Sequence, residues 1–211
     1  MRALPRGLYA ITPDEPDTDR LLALVRAALA GGAAAVQYRS KNASAALRRE
    51  QARALAELCR THRAPLIVND DVRLAREAGA DGAHLGAEDG ELAEARRLLG
   101  PDRLLGASCY NRLDLAIAAQ AAGADYVAFG SVFDSPTKPA AVRAPLALFA
   151  EARGAVGLPL VAIGGITPQN AAAVIAAGAD AVAVISAVFD APDVSARANA
   201  FKLLFDQPPK P

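Results

Sequence analysis

The chain has 211 residues, of which 53% are hydrophobic, so it can bury one substantial core. Its 23 basic and 23 acidic residues cancel, which removes the field that would attract nucleic acid or an anionic membrane, and neither is expected as a partner. The residues before Gly7 are too few for a signal peptide, and no apolar run approaches the roughly 20 residues of a membrane span.

We therefore predict one cytoplasmic domain over residues 1–211, with its core at 7–205 and a disordered tail at 206–211. The two cysteines, Cys59 and Cys109, have no spacing typical of a metal or redox site and are expected to be free thiols. The oligomeric state is not determined by the sequence.

Short apolar runs alternate with longer alanine- and leucine-rich segments of helical period, the pattern of β/α units around a parallel sheet. The predicted strands are 7–12, 33–39, 65–69, 82–85, 104–108, 126–132, 159–164 and 181–186. The predicted helices are 18–30, 44–62, 71–78, 91–99, 112–122, 145–153, 168–177 and 193–205. The fold class is therefore α/β, a (β/α)8 TIM barrel in a single domain.

A glycine-alanine motif begins each even-numbered predicted strand, and its copies are about 50 residues apart, which fits two β/α units per copy. The copies start at Gly32, Gly79, Gly123 and Gly178. The fourfold recurrence favours a closed barrel, with an open doubly wound sheet as the alternative. The aspartates that follow the last three of these glycines would lie at the amino ends of the strands, so we interpret them as structural; they are Asp81, Asp125 and Asp180.

The second predicted strand ends in an amide, an aromatic ring and two cations, in the order Gln37-Tyr38-Arg39-Ser40-Lys41. An unpaired charge inside a barrel is costly, so these cations belong at its mouth. On an extended chain the side chains of Arg39 and Lys41, two positions apart, leave the same face. We predict that Arg39 and Lys41 together bind one multiply charged anion.

Two carboxylates follow neighbouring strands, Asp70 after the third and Asp89 after the fourth. Magnesium accepts one or two carboxylates together with waters and phosphate oxygens. The alternative is that both residues cap or charge helix N-termini, the role we assign to Asp71 and Glu88. Beside the two cations above and Lys138, a magnesium ion would help to neutralise a diphosphate, so Mg²⁺ is the expected cofactor.

The Gly164-Gly165 pair before Thr167-Pro168 predicts a tight turn that opens a helix, with threonine as its N-cap. Backbone amides after the seventh and eighth strands of such barrels often bind phosphate, and Ile185-Ser186 would supply a second set. The alternative is that the glycines serve only the turn. His84, inside a short apolar strand, is predicted to be a hydrogen-bonded core residue.

Together these motifs resemble the thiamine-phosphate synthase family over about residues 7–205. The matching stretches are 8–12, 37–41, 69–70, 84–89, 106–108, 135–138, 164–166 and 185–186. The resemblance implies a transferase that joins 4-amino-2-methyl-5-(diphosphooxymethyl)pyrimidine to 4-methyl-5-(2-phosphooxyethyl)thiazole, or its carboxylated form. The products would be thiamine phosphate and pyrophosphate, so small phosphorylated substrates are the expected partners.

The resemblance also implies roles for particular residues. The pyrimidine diphosphate would contact Gln37, Tyr38, Arg39, Ser40, Lys41, Asn69, Ser108 and Lys138. The thiazole phosphate would contact Ser135, Pro136, Thr137, Gly165, Ile185 and Ser186. Magnesium would be held by Asp70 and Asp89. The implied catalytic residues, which would stabilise the departing diphosphate before the thiazole nitrogen attacks, are Arg39, Lys41, Ser108 and Lys138.

Among the positions that depart from the family pattern, Tyr110 stands where a histidine is common. A related thiazole tautomerase-like branch is expected to use that histidine, so its absence argues against that activity. A barrel that only binds thiazole phosphate or thiamine phosphate is the other alternative. A synthase would need magnesium and lose turnover in Asp70→Ala, whereas a binding protein would keep its affinity without the metal.

Overall fold

The structure, a computed structural model, describes residues 3–134 and 142–206. Eight parallel strands close into a barrel in chain order, with the first strand paired to both the second and the eighth. The strands are β1 Gly7–Ile11, β2 Ala35–Tyr38, β3 Leu66–Asn69, β4 Gly82–Leu85, β5 Leu104–Tyr110, β6 Tyr126–Gly130, β7 Leu160–Ile163 and β8 Ala181–Val184. The predicted barrel is confirmed, and the open sheet is excluded by the pairing of β1 with β8.

Helices connect the strands on the outside of the barrel. They are α1 Thr18–Ala30, α2 Ala45–Thr61, α3 Val72–Glu77, α4 Leu92–Leu99, α5 Leu113–Ala121, α6 Ala147–Ala155, α7 Ala171–Ala176, α8 Ser186–Phe189 and α9 Val194–Asp206. Among the described helices, none combines the length and apolar character that crossing a membrane requires.

The predicted boundaries differ from the structure most clearly at α7 and after β8. The predicted helix from residue 168 begins only at Ala171, because Thr167 opens a turn first: its carbonyl oxygen accepts from the Ala171 amide at 2.9 Å. Thr167 as N-cap is therefore wrong, and Asn170 holds that position. The short helix α8 was not predicted, because four residues show no helical period.

Apolar side chains form two cores, because successive residues of a strand point to opposite faces of the barrel wall. The larger core lies between the strands and the helices and includes Leu8, Val36 and Phe149. The smaller core fills the barrel interior and includes Tyr9, Ile67, Leu104, Tyr126 and Val161. Toward the carboxyl ends of the strands two interior residues, Ala128 and Ala183, are small, which leaves room for a cavity.

The three aspartates at the amino ends of the even strands are structural, as predicted. Asp81, Asp125 and Asp180 each accept a hydrogen bond from the backbone amide of the first or second residue of a neighbouring strand, at 2.7 to 3.0 Å. Arg96 pairs with Asp125 and Arg153 with Asp180. These contacts tie adjacent strands together at the end of the barrel opposite the cavity.

Candidate active site

A cavity of about 1050 Å³ opens at the carboxyl ends of the strands, the end where barrels of this type carry their active sites. It is lined by ten of the predicted site residues: Gln37, Arg39, Lys41, Asn69, Asp70, Asp89, Ser108, Gly165, Ile185 and Ser186. Because the chain passes this end once per strand, the fold alone brings residues more than a hundred positions apart to one mouth.

The structure describes two of the remaining predicted site residues, and neither lines the cavity. The side chain of Tyr38 is buried on the outer face of β2, where its hydroxyl donates to Gln51 Oε1 of α2 at 2.8 Å. Ser40 follows in the loop and does not line the cavity either. The predicted residues Ser135, Pro136, Thr137 and Lys138 lie outside the described part of the chain.

The two cations after β2 are held in place by residues that follow β1. The hydroxyl of Thr12 accepts from the Arg39 amide at 2.9 Å and donates to the Arg39 carbonyl oxygen at 3.1 Å. Asp14 accepts from the Lys41 amide at 2.7 Å, and its carboxylate lies 3.8 Å from the Arg39 guanidinium. Sequence reasoning missed Thr12 and Asp14, although both follow a strand end, which is the signal that identified the cations.

The carboxylates of Asp70 and Asp89 lie within hydrogen-bonding reach of each other. Burial, with the neighbouring Asp89 as the next cause, raises the pKa of Asp70 to about 6, while the charges of Lys41 and Arg39 act in the opposite direction. Asp70 also has a backbone φ of 63°, in the left-handed region that is unfavourable for a residue with a Cβ. Strain and charge repulsion are thus concentrated at this position.

The helix-capping alternative holds for only one of the acidic residues. Asp71 caps α3, since its carboxylate accepts from the Leu74 amide at 2.8 Å. The N-cap of α4 is Glu91 rather than Asp89, whose carboxylate instead accepts from the Gly86 amide at 2.7 Å. The assignment of Glu88 to a helix terminus is wrong, because Glu88 precedes that N-cap and lines the cavity mouth.

The wall opposite the carboxylates is formed by the ends of β7 and β8. Gly164 and Gly165 have φ values of 102° and 63°, and a Cβ on Gly165 would lie 2.9 Å from the Cβ of Phe133. Both conditions require glycine. Ile185 and Ser186 line the same part of the cavity where β8 passes into α8, so backbone groups from two adjacent strand ends meet there.

A chain of hydrogen-bonded side chains crosses the barrel at the floor of the cavity. Gln37 Nε2 donates to the Tyr9 hydroxyl at 2.8 Å, which lies 2.9 Å from the Tyr126 hydroxyl. The Tyr126 hydroxyl lies 3.1 Å from His84 Nδ1, and His84 Nε2 lies 2.9 Å from Ser108 Oγ. Burial lowers the pKa of His84 to about 4, so its imidazole is neutral. The prediction of a hydrogen-bonded core histidine is confirmed.

Comparison with known proteins adds the family. A model of the thiamine monophosphate synthase family matches residues 8–188. The chain belongs to this family. A thiamine-phosphate synthase of Thiobacillus denitrificans is 61% identical over 210 residues, covering 100% of both chains. A thiamine-phosphate synthase of Aromatoleum aromaticum is 62% identical over 201 residues, covering 95% of this chain and 97% of the relative.

A solved structure agrees with this assignment to the thiamine monophosphate synthase family. The thiamine phosphate pyrophosphorylase from Pyrococcus furiosus superposes with a TM-score of 0.84 at 38% identity, covering 95% of each chain. The family resemblance expected from the strand-end motifs is therefore confirmed.

Tyr110, one of the positions that depart from the family pattern, lies at the rim of the cavity. Its side chain is exposed, its φ is 53°, and β5 loses regular register with β6 between Ser108 and Tyr110. The Tyr110 hydroxyl accepts from the Ala87 amide at 3.4 Å. Tyr110 thus contacts the loop that carries Asp89, which gives it a role in supporting that loop.

Proposed function

We propose that this cavity mouth carries out thiamine phosphate synthesis, with one wall for the diphosphate and the opposite wall for the thiazole phosphate. The chain is an enzyme that joins the pyrimidinylmethyl group to the thiazole and releases pyrophosphate, the activity named for its relatives at 61% and 62% identity. The observation that carries the assignment of residues is the meeting of two cations and two carboxylates on one side of the cavity.

The diphosphate lies against Arg39 and Lys41 in this proposal. A guanidinium offers a planar set of donors to phosphate oxygens, and the contacts from Thr12 and Asp14 hold the loop in position before substrate binds. Cations fixed in advance stabilise the charge that develops on the leaving group. Lys138 is proposed as a third cation of this set.

The pyrimidine ring lies deeper, over Gln37, Asn69 and Ser108, all of which line the cavity. When the bond between the exocyclic carbon and the diphosphate oxygen breaks, its electron pair leaves with pyrophosphate. The lone pair of the thiazole nitrogen then forms the new carbon–nitrogen bond. No strong base is required, in keeping with a neutral, buried His84 as the nearest imidazole.

The thiazole phosphate is proposed to bind the opposite wall, at Gly165, Ile185 and Ser186. The positive φ of Gly165 and its close packing against Phe133 fix the backbone whose amide groups would bind the phosphate. Ser135, Pro136 and Thr137 are proposed to complete this site. Anchoring the nucleophile across the cavity from the leaving group supplies the orientation that an attack on the exocyclic carbon needs.

We propose Mg²⁺ as the metal ion, held by Asp70 and Asp89. Among the described residues no group of three or more His, Cys, Asp or Glu side chains forms a closed metal cage. Two mutually repelling carboxylates, one with a raised pKa, suit a cation that keeps waters and takes phosphate oxygens as further ligands. When bound, such an ion neutralises charge on the diphosphate.

We also propose that the enzyme acts in the cytoplasm. Cys59 and Cys109 are buried, free thiols, and burial raises the pKa of each to about 12. Thiols that stay protonated and unpaired suit a reducing compartment.

Turnover of the purified full chain tests the proposal, with thiamine phosphate read as fluorescent thiochrome after oxidation. We expect product with Mg²⁺ and none with EDTA. Asp70→Asn should lower kcat by about 100-fold or more, because loss of charge stabilisation costs several kcal/mol. Asp71→Asn is the matched control, since asparagine still caps α3. An equal loss of kcat in both variants, or turnover that EDTA leaves unchanged, would refute the assignment of Mg²⁺ to Asp70 and Asp89.

A further inference from the structure

We propose that Tyr9, Tyr126 and His84 are positioning residues that fix the hydrogen-bond polarity of the cavity floor, so that it selects a 4-aminopyrimidine over its 4-oxo counterpart. The inference rests on the proposed function, because it takes the pyrimidine diphosphate as the ligand above Gln37 and Ser108. Tyr126 itself lies beneath the floor, fully buried, and acts only through its neighbours.

The Tyr9 hydroxyl has two hydrogen-bonding neighbours among the described residues, Gln37 and Tyr126, and one direction of donation along the chain gives its buried proton a protein partner. An amide nitrogen can only donate, so Gln37 Nε2 donates to the Tyr9 hydroxyl. The Tyr9 proton is then available for the Tyr126 oxygen, and the Tyr126 proton for His84 Nδ1. A neutral imidazole that accepts at Nδ1 carries its proton on Nε2, so His84 donates to Ser108 Oγ.

Both ends of the chain therefore present a defined group to the cavity. Because its nitrogen is held by Tyr9, Gln37 offers its carbonyl oxygen Oε1 as an acceptor. Because its oxygen accepts from His84, Ser108 directs its hydroxyl proton outward as a donor. The floor thus carries one acceptor and one donor, on opposite sides of the barrel interior.

This pair matches two groups that lie across the ring from each other. A 4-aminopyrimidine presents its amino N–H donor at C4 and, on the opposite side of the ring, the nitrogen N1 that accepts, which complements an acceptor at Gln37 and a donor at Ser108. A 4-oxo ring presents an acceptor oxygen in place of the amino donor. Its binding would set acceptor against acceptor at Gln37, or require the Gln37 amide to turn and every member of the chain to reverse, including the His84 tautomer.

The fold makes space for this chain at Gly106 of β5. A Cβ at that position would overlap the Tyr126 ring and hydroxyl and the His84 ring nitrogen Nδ1. The Tyr126 and His84 rings are stacked with their centroids 5.5 Å apart, and the Tyr9 ring meets Tyr126 edge-on at 6.0 Å. Close packing leaves the rings no room to turn away from their partners.

Nitrogen NMR of the full chain labelled at histidine tests the polarity directly. The sequence has two histidines, and the exposed His62 is assigned by a His62→Gln variant. We expect His84 to show a protonated, pyrrole-like Nε2 and an unprotonated, pyridine-like Nδ1. A proton on Nδ1, or on both nitrogens, would overturn the proposal. Tyr126→Phe should convert the single tautomer to a mixture.

Kinetics with the 4-amino and 4-oxo pyrimidine diphosphates test the consequence, with pyrophosphate release counting turnover of either substrate. Wild-type protein should prefer the amino compound in kcat/KM by about 1000-fold or more. Tyr126→Phe and Tyr9→Phe should each reduce that ratio about tenfold or more, because the polarity is no longer fixed. Tyr38→Phe is the matched control, since it removes a buried hydroxyl outside the cavity and should leave the ratio unchanged.

The outcomes distinguish a failure of this inference from a failure of the proposed function. Turnover of the amino compound with an unchanged ratio in both network variants would overturn the inference alone. A ratio that falls equally in Tyr38→Phe would also overturn it, because general loosening would then explain the loss. No turnover of the amino compound by wild-type protein would overturn both the inference and the proposed function.

Discussion

Replacing Thr12 with valine should weaken binding of the pyrimidine diphosphate, although Thr12 does not line the cavity. The Thr12 hydroxyl is fully buried and holds both the amide and the carbonyl oxygen of Arg39, at 2.9 and 3.1 Å. Valine has nearly the same shape, and the Thr12 amide keeps its bond to the Gln37 carbonyl oxygen, so strand pairing survives. Two partly buried backbone groups lose a partner, which costs about 2 to 3 kcal/mol of unfolding free energy.

The functional consequence is specific to one substrate. With Arg39 no longer fixed, the KM for the pyrimidine diphosphate should rise about tenfold, the equivalent of one weakened charge-assisted hydrogen bond. The KM for the thiazole phosphate should not change. Urea unfolding and steady-state kinetics measure the two effects.

Thr12→Ser provides the control for this prediction. It keeps the hydroxyl and loses one methyl group, so it should cost about 1 kcal/mol of stability and leave both KM values unchanged. If Thr12→Val bound the pyrimidine diphosphate as well as wild type, or if Thr12→Ser raised the same KM equally, positioning of Arg39 by this hydroxyl would be refuted.

Three further predictions follow from the geometry. Asp70→Asn should raise the thermal midpoint of the metal-free protein at pH 8 but hardly at pH 4. The folded-state pKa of Asp70 is raised from 3.8 to about 6, so its destabilising charge appears only as the pH rises through that range. A lower midpoint of the variant at pH 8 would contradict this prediction. Gly165→Ala should raise the KM for thiazole phosphate and destabilise the fold by about 1 to 3 kcal/mol. Gly79→Ala is the control: its φ of 70° is similar and nothing lies near its Cβ position, so it should show only the destabilisation caused by a positive φ. Asp125→Ala should lower the free energy of unfolding by about 2 to 4 kcal/mol, measured by chemical denaturation, because the Leu105 amide loses its hydrogen-bond acceptor. The variant should keep its kcat/KM. A fall in activity at equal folded fraction would count against a structural role for Asp125.

The barrel was predictable because its elements are defined by local periodicity. Alternating apolar runs mark strands that are buried on both faces, and the glycine motif at Gly32, Gly79, Gly123 and Gly178 marks every second unit. The error at the start of α7 occurs where a side chain competes with the helix for backbone groups. Near Thr167, the Asn170 side chain accepts from the Thr167 amide at 2.8 Å, and a turn replaces the predicted first turn of α7.

The candidate site was predictable to the extent that it depends on strand ends. Parallel strands in a barrel share one carboxyl end, so Arg39, Lys41, Asp70 and Asp89 had to meet there once the strands were placed. The side chain of Tyr38 shows the limit of a resemblance: adjacent residues of a strand face opposite sides, and with Gln37 inward Tyr38 faces α2.

The sequence by itself therefore determined the barrel, the order of its strands and the charges at its mouth, because periodicity and strand-end position are properties of local segments. Only the tertiary structure decided which side chains touch. The hydrogen bond between Tyr9 and Tyr126 joins residues 117 positions apart, and the raised pKa of Asp70 depends on its burial and then on the nearness of Asp89 across a strand boundary. Such contacts depend on distances of a few ångströms between remote segments, and no pattern along the chain encodes them.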